Sequence, residues 1–282
     1  MSDLIRGMQL VELEMLKAYA NICRKHKLTY FLLGGTCLGA IRHQGFIPWD
    51  DDIDVGMPRK DYAQFLAVAQ SELPKHIFLQ THETDPEYPM GYAKLRNSNT
   101  TFIEKKFRKY QFNHGIWMDV FPLDGYAPIK KRLRYKIVSS RIGQEYIRKT
   151  AVDGSPEKEA LKSLRKRTIR FLCKDFHDAL RKRDAIYSAK DYDTSPQVVN
   201  YYGAWGTREI VPRSCLGKGK CVAFEGEEYM VPEDFDTYLS TIYGDYMTLP
   251  PEEKRVSHHE SDAISLHIPY KEFLMRDASH VE

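Results

Sequence analysis

The sequence predicts an α+β fold, in which a mixed β-sheet is flanked by helices and carries a basic helical insert. Three observations lead to this class. Apolar residues recur at helical intervals over residues 3–25, short apolar runs typical of strands follow up to about residue 122, and positive charge is concentrated between residues 128 and 183. A chain of 282 residues, 42% of them hydrophobic, can bury a large core.

The first half of the chain contains most of the predicted elements. Leu4, Met8, Val11 and Met15 give residues 3–25 an apolar face, which predicts a helix packed on the core. Further helices are predicted at residues 36–42 and 59–72. Strands are predicted at residues 30–34, 52–57, 77–81, 91–96, 100–103 and 115–122.

The C-terminal part contains fewer clear signals. Two glycines in residues 217–220 predict a hairpin turn before a strand at residues 221–224. Residues 232–244 predict a helix, with Glu233 and Asp234 in its first turn, where acidic side chains interact favourably with the helix dipole.

An acidic segment is the strongest functional signal, because Asp50, Asp51, Asp52 and Asp54 place four carboxylates in five residues. On an extended strand Asp52 and Asp54 would share one face, with Cα atoms about 6.5 to 7 Å apart. Carboxylates this close repel each other unless a cation lies between them. A hard, oxygen-preferring ion such as Mg²⁺ or Mn²⁺ is therefore expected.

A glycine turn precedes the acidic segment. Gly34, Gly35 and Thr36 follow an apolar run and begin a short helical stretch. Glycines allow close approach of the backbone to a ligand, and N–H groups at a helix start can hold phosphate oxygens. A Gly-Gly-Thr turn alone is adequately explained as a tight connection. Combined with the Asp-x-Asp pair, it favours a phosphoryl or nucleotidyl transferase.

The motifs together closely resemble the LicD family of the nucleotidyltransferase-fold superfamily. The resemblance rests on residues 34–42 and 45–54 and extends to later blocks at residues 92–96, 115–125, 224–226 and 243–247. It implies a nucleotidyltransferase-like catalytic core at residues 1–127, with a C-terminal part at residues 193–282 that completes the same domain. Residues 128–192 resemble no family block and are interpreted as the basic helical insert.

The resemblance also implies an activity. Such proteins transfer a phosphorylated alcohol, typically phosphocholine from CDP-choline, to a sugar of a teichoic acid, lipopolysaccharide or capsular glycan precursor, and related members use CDP-ribitol or CDP-glycerol. By the same resemblance Gly34, Gly35 and Thr36 contact phosphate, and Asp52 and Asp54 hold metal together with a third acid. That role falls on Asp119, which independently interrupts the apolar run 116–121 with a single charge that is costly to bury unpaired.

Other residues are candidates for the same site. Lys94 and Arg96 alternate onto one strand face and could neutralise phosphate charge, although an exposed cationic strand explains either one equally well. Arg42 follows the glycine turn by one helical turn. Asp50 is a further ligand, a base for the acceptor hydroxyl, or a cap, and His259, next to His258, is a candidate for contact with the acceptor or leaving group.

Two tryptophans border the acidic positions. An aromatic face attracts a quaternary ammonium, so Trp49 and Trp117 are candidates for binding choline, although packing in the core explains both residues at least as well.

Composition predicts a cytoplasmic protein. A further hypothesis is that it contacts the inner face of the membrane peripherally. The N-terminus carries no export signal, and no apolar run approaches the roughly 18 to 20 residues that cross a bilayer. The five cysteines are scattered and odd in number, which favours reduced thiols.

The basic insert is unusual in its charge. Residues 128–183 contain eighteen Lys or Arg and six Asp or Glu, whereas the whole chain carries only +3. Basic amphipathic helices can lie on an anionic membrane, and a lipid-linked glycan acceptor at the inner leaflet would make that placement useful. A solvated insert that covers the core is an equal alternative. Nucleic acid ranks well below both, because no recognition motif accompanies the charge.

Two other functions remain open at this level. The same core can transfer a nucleoside monophosphate from an NTP to a small alcohol or antibiotic. A non-catalytic membrane or glycan adaptor is the second alternative, but a binding module has no need to keep crowded carboxylates.

Overall fold

The computed structural model describes residues 3–129, 133–150, 173–257 and 259–279. Within these ranges a seven-stranded mixed sheet forms the centre of the fold and helices pack against it, so the predicted α+β class is confirmed. The helices are α1 (Asp3–His26), α2 (Gly34–His43), α3 (Arg59–Glu72), α4 (Leu133–Thr150), α5 (Phe176–Tyr187), α6 (Arg213–Leu216), α7 (Phe235–Tyr243) and α8 (Tyr270–Ser279). The strands are β1 (Phe31–Leu32), β2 (Asp54–Pro58), β3 (Ile77–Gln80), β4 (Ala93–Asn97), β5 (Thr101–Glu104), β6 (Ile116–Gly125), β7 (Gln197–Val199), β8 (Ile210–Pro212), β9 (Lys220–Phe224), β10 (Glu227–Val231) and β11 (Ser261–Ser265).

The central sheet has the order β1-β2-β6-β4-β3, and β7 and β8 extend it from the end of β6. β2 and β6 run parallel, whereas β4 pairs with β6 in the antiparallel direction. β6 is buried along its whole length, because strands lie on both sides of it and α1 and α3 pack against it. The near-continuous apolar character of this strand follows from that position.

The C-terminal region contributes to the same assembly of strands. β7 and β8 join the central sheet, and β11 pairs with β5. β9 and β10 form a hairpin that lies beside β1 and α2. The division of the chain into a core, an insert and a completing C-terminal part stays a prediction.

Three predicted boundaries are wrong near functional segments. β2 begins at Asp54, so residues 50–53 lie in the connection before the strand and alternation along a strand does not set their directions. β1 ends at Leu32 and α2 begins at Gly34, so the glycine pair opens a helix. Residues 217–219 follow α6 instead of joining two strands, and the hairpin turn is formed by Glu225 and Gly226, which both have positive φ.

The described part of the insert forms two packed helices. Val138 of α4 contacts Cys173 and Ala179 of the second segment in a small apolar cluster. Residues 151–172 of the predicted insert lie outside the described residues. No helix in the described ranges has both the length and the apolar character needed to cross a bilayer.

A buried ion pair joins the insert to the sheet. Arg59, the first residue of α3, contacts the Asp124 carboxylate of β6 with N–O distances of 2.7 and 2.6 Å. The remaining guanidinium nitrogen, Nη1, lies 2.9 Å from Oδ1 of Asp184 in α5. Burial raises the pKa of Asp124 and the Arg59 guanidinium opposes that shift, so the charge on Asp124 depends on this partner.

Replacing Arg59 with Met is expected to lower the free energy of unfolding by about 3 to 5 kcal/mol at neutral pH, because it leaves the Asp124 charge buried without a partner. Urea denaturation measures the loss. Lys182→Met is the control, since it removes an exposed ion pair of 2.7 Å with Asp178 and should cost under about 1 kcal/mol. Equal losses in the two variants would contradict this account.

Candidate active site

Three neighbouring strands place Asp54, Asp119 and Lys94 in one row. Asp119 lies opposite Asp54 in the parallel β2–β6 pair and opposite Lys94 in the antiparallel β4–β6 pair. Backbone positions in such a row are about 4.8 Å apart. The Lys94 Nζ lies 2.6 Å from Asp119 Oδ1, so the one deeply buried acid of this row has a cationic partner. Asp54 remains beside them without a cation of its own in the row.

The connection before β2 brings three more carboxylates to this edge of the sheet. Oxygen atoms of Asp50, Asp51 and Asp52 lie within 4.8 Å of one another, a separation suited to a shared metal ion. Asp50 and Asp51 are buried, whereas Asp52 keeps 21% of its side chain exposed. Burial raises the pKa of Asp52 to about 6, and burial with neighbouring carboxylates raises the pKa of Asp50 and Asp54 well above the usual range. The cluster therefore favours a bound cation or proton.

The glycine turn packs directly on these acids. Gly34 has φ of +49°, a conformation that L side chains rarely adopt. A Cβ at Gly35 would lie 2.6 Å from Asp50 Oδ2, so only glycine leaves room for that carboxylate. The Thr36 hydroxyl accepts a hydrogen bond from the Asp54 N–H at 2.8 Å. The turn and the acids thus form one unit.

Two tyrosines of the α7 region complete the surroundings of the turn. The Gly34 N–H donates to the Tyr238 hydroxyl at 3.0 Å. The Tyr243 hydroxyl lies 3.7 Å from the point where a Cβ of residue 34 would sit, and Asp54 Oδ2 lies 3.3 Å from the same point. The remaining N–H groups at the start of α2, those of Gly35 and Thr36, have no partner within the first turn of a helix. They suit an anion.

The C-terminal segment binds the carboxylate of Asp51. Asp51 accepts hydrogen bonds from the Ser257 hydroxyl and from the His259 N–H, and His259 Nδ1 lies 3.2 Å from Asp51 Oδ1. His259 Nε2 lies 3.9 Å from Asp52. Burial lowers the pKa of His259, but the hydrogen bond to Asp51 and the charge of Asp52 outweigh it and raise that pKa overall. His259 therefore joins the predicted site, and His258 lies outside the described residues.

Arg96 is not brought to the phosphate side of the site. It is fully buried and donates to Gln80 Oε1 at 2.7 Å and to the Gly115 carbonyl at 2.8 Å. Trp117 is buried between the Lys94 ammonium, 4.3 Å from its ring centroid, and the Arg96 guanidinium, 4.9 Å away. The hypothesis that Trp117 binds choline conflicts with this arrangement, because two cations of the protein already contact its ring.

Arg42 and Trp49 also have partners within the protein. Arg42 donates to the Tyr246 carbonyl at 2.7 Å, and burial lowers its pKa. Trp49 is half-buried, with the Arg255 guanidinium 5.6 Å from its ring centroid. Of the predicted phosphate contacts, the glycine turn and Lys94 thus lie beside the acids, whereas Arg42 and Arg96 bind other groups of the protein.

Two residues of α1 border the site and were missed by sequence reasoning. Gln9 donates to the Asp50 carbonyl at 3.0 Å and fixes the acidic connection. Glu12 is buried, and its Oε2 has no hydrogen-bond partner among the described residues. Burial and the charges of the site carboxylates, that of Asp52 first, raise the pKa of Glu12. The available signal was that Glu12 interrupts the apolar face formed by Met8 and Met15.

Comparisons with known proteins agree with this geometry. A family model described as "LicD/FKTN/FKRP, nucleotidyltransferase domain" matches residues 27–139. "Lipopolysaccharide cholinephosphotransferase LicD" of Haemophilus influenzae is 33% identical over 271 residues, which cover 93% of this chain and 98% of that protein. An uncharacterised protein of Rickettsia prowazekii is 40% identical over 109 residues, 39% of each chain. A second, from Rickettsia typhi, is 40% identical over 52 residues, 18% of this chain and 17% of that protein.

Replacing Glu12 with Gln is expected to flatten the pH dependence of stability in metal-free protein. Above its usual pKa of 4.5 the unfolded chain releases a proton that folded Glu12 retains, so stability falls as the pH rises towards the folded pKa. Gln does not titrate, so the decline measured by urea denaturation with EDTA, between about pH 5 and pH 8, should shrink by up to about 1.4 kcal/mol per pH unit.

Glu228→Gln is the control for this measurement, because it makes the same chemical change at an exposed position of β10. It should leave the slope of the wild-type protein unchanged. A Glu12 variant with the wild-type slope would contradict the raised pKa.

Proposed function

Because the chain belongs to the LicD family, we propose that it transfers phosphocholine from CDP-choline to a sugar hydroxyl of a glycan precursor and releases CMP. The observation that carries the proposal is the close packing of Gly34 and Gly35 against Asp54 and Asp50. It puts a phosphate-binding turn and a carboxylate cluster at one point. The name of the Haemophilus relative supports the cargo and the class of acceptor.

The turn is assigned to the diphosphate of the donor. The N–H groups of Gly35 and Thr36 lie in the first turn of α2, where the helix dipole also favours negative charge. The Thr36 oxygen accepts from the Asp54 amide, which leaves its hydroxyl proton to donate to a phosphate oxygen. Positioning by the backbone suits phosphoryl transfer, in which orientation and charge stabilisation supply most of the catalysis.

Asp52, Asp54 and Asp119 are assigned to hold a divalent metal ion, and Mg²⁺ or Mn²⁺ fits an all-carboxylate donor set. The fit rests on burial and mutual repulsion, which raise the pKa of Asp52 and Asp54 and make a cation favourable there. When bound, such an ion neutralises charge on the diphosphate and on departing CMP. Asp51 is excluded from the set, because Ser257 and His259 occupy its oxygens.

These assignments describe a single transfer step. The acceptor hydroxyl oxygen forms a bond to the choline-bearing phosphorus, the bond from that phosphorus to the CMP oxygen breaks, and a carboxylate of the site takes up the hydroxyl proton. Lys94 stays with Asp119 at 2.6 Å and limits the negative charge of the row. Asp50 lies against Gly35 and fixes the turn beside the other acids.

Asp52→Asn and Asp54→Asn are each expected to reduce CMP release from CDP-choline about 100-fold or more, since each removes a charge that holds the metal ion. Stability should change little, because each substitution relieves repulsion among buried carboxylates. Phosphorus NMR of CMP release with a lipid-linked glycan extract measures activity, and urea denaturation measures stability. Asp193→Asn, at an exposed position, is the control.

Retained turnover in either site variant would overturn the metal assignment. An NTP offered separately tests the alternative use of this core, because pyrophosphate would then appear in place of CMP. Binding of CDP-choline that does not depend on added metal ion, with no turnover, would favour the adaptor.

The basic insert is proposed to contact the anionic membrane that carries the acceptor. In its described part, Lys149 pairs with Glu87 at 2.8 Å and Lys182 with Asp178 at 2.7 Å, so these bases face the protein's own acids. Arg134 and Lys136, by contrast, are exposed on α4. They are the described residues of the insert best suited to meet phospholipid headgroups.

Charge reversal at Arg134 and Lys136 together is expected to weaken sedimentation with phosphatidylglycerol vesicles. Each base near such a surface contributes about 1 kcal/mol, so removing two should lower the partition coefficient by about 30-fold or more at low salt. The matched control reverses Lys218 and Lys220, which lie outside the insert. The membrane proposal fails if wild-type protein does not sediment with the vesicles, or if both double variants lose binding equally.

A further inference from the structure

An exposed tryptophan stands beside the glycine turn and takes no part in the site described so far. Trp205 keeps 43% of its surface exposed. Its ring centroid lies 5.0 Å from that of Tyr243, with the ring planes at 75°. The Tyr243 hydroxyl is the one that lies 3.7 Å from the Cβ point of Gly34. A single aromatic residue thus separates the Trp205 ring from the proposed phosphate site.

The segment that carries Trp205 is held firmly by the protein. The buried carboxylate of Glu209 accepts a hydrogen bond from the Trp205 N–H at 3.3 Å. A Cβ at Gly203 would overlap that carboxylate, so glycine is required where the segment closes on it. The Tyr202 N–H donates to Asn200 Oδ1 at 3.0 Å. Trp205 is therefore exposed on an ordered segment that holds its backbone in place.

Trp205 differs from the buried Trp117 and the half-buried Trp49 in the exposure of its side chain. Lys94 and Arg96 lie within 5 Å of the buried Trp117 ring, and Arg255 lies 5.6 Å from that of Trp49. The nearest described cation to Trp205 is Arg208, whose guanidinium is 5.9 Å from the ring centroid, at the outer limit of a cation–π contact. Arg208 directs one nitrogen to the Ile242 carbonyl at 3.1 Å. Because 43% of its surface is exposed, the Trp205 ring remains accessible to a cation of a ligand.

We propose that Trp205, backed by Tyr243, receives the quaternary ammonium of the donor while the glycine turn holds its diphosphate. The inference rests on the proposed function, because it concerns the choline end of CDP-choline. A trimethylammonium group cannot donate hydrogen bonds, and the face of an indole is the side-chain surface that binds it best. A neutral alcohol, such as the glycerol of CDP-glycerol, gains no comparable attraction from the face of the ring.

The test compares two donors that share the nucleotide and the diphosphate. Isothermal titration with Mg²⁺ and no acceptor gives the Kd of CDP-choline and of CDP-glycerol for wild-type protein, Trp205→Leu and Trp205→Phe. Leu keeps apolar surface without an aromatic face, so the Kd of CDP-choline should rise about 3- to 30-fold, whereas that of CDP-glycerol should change less than about 2-fold. Phe keeps an aromatic face and should restore most of the preference.

Trp49→Leu is the matched control and should leave the ratio of the two Kd values at its wild-type value. Equal weakening of both donors by Trp205→Leu would place the indole against cytidine or phosphate and overturn the inference, and so would an unchanged ratio. The measurement needs no turnover. A wild-type protein that binds CDP-choline but releases no CMP contradicts the proposed function alone, and one that binds no CDP-choline contradicts both.

Discussion

The arrangement of this protein depends on the electrostatic cost of gathering carboxylates at one edge of a buried sheet. Asp50, Asp51 and Asp119 are buried, and the buried Glu12 faces the same cluster. Ionised carboxylates in such surroundings are unfavourable unless they are paired, hydrogen-bonded or bound to a cation. The neighbouring elements either lower that electrostatic cost by binding a carboxylate or leave a carboxylate available to a ligand.

The two ends of the described chain meet at the acidic connection. Gln9 of α1 donates to the Asp50 carbonyl at 3.0 Å, and the Ser257 hydroxyl and His259 bind the Asp51 carboxylate. These contacts hold from both sides a connection that precedes the first residue of β2. They also distinguish the carboxylates, because Ser257 and His259 bind that of Asp51, whereas those of Asp52 and Asp54 are partly exposed.

Local patterns predicted much of the fold, because the formation of a helix or strand depends largely on residues that are neighbours in the sequence. The apolar periodicity of α1 and the helix at Arg59–Glu72 are confirmed by the structure. Boundaries at the site were less predictable. Gly34 continues into a helix because its positive φ lets the chain turn there, and the packing of Asp50 on Gly35 depends on residues fifteen positions apart.

The rest of the site could not be read from spacing, because it depends on long-range register. Lys94 and Arg96 alternate on one strand face, yet only the first meets Asp119, since the pairing of β4 with β6 puts Arg96 opposite Trp117. Glu12, Gln9 and the α7 tyrosines reach the site through tertiary packing. The signal of this packing in the sequence was Glu12, a charged residue on the apolar face of α1.

The same register explains why the ring of Trp117 is occupied by the protein's own side chains. On β4 and β6, the Lys94 ammonium and the Arg96 guanidinium both contact the Trp117 ring, and Lys94 also pairs with Asp119. The protein's own cations therefore occupy this side of Asp119. On the other side, the residues next to Asp54 are Gly34 and Tyr243, which bring no positive charge. The glycine turn therefore opens on a side of Asp54 where these two neighbours add no cation. A ligand that carries both a diphosphate and a cation matches that side, because its phosphates need the turn and its cation is attracted to the aromatic faces beyond it.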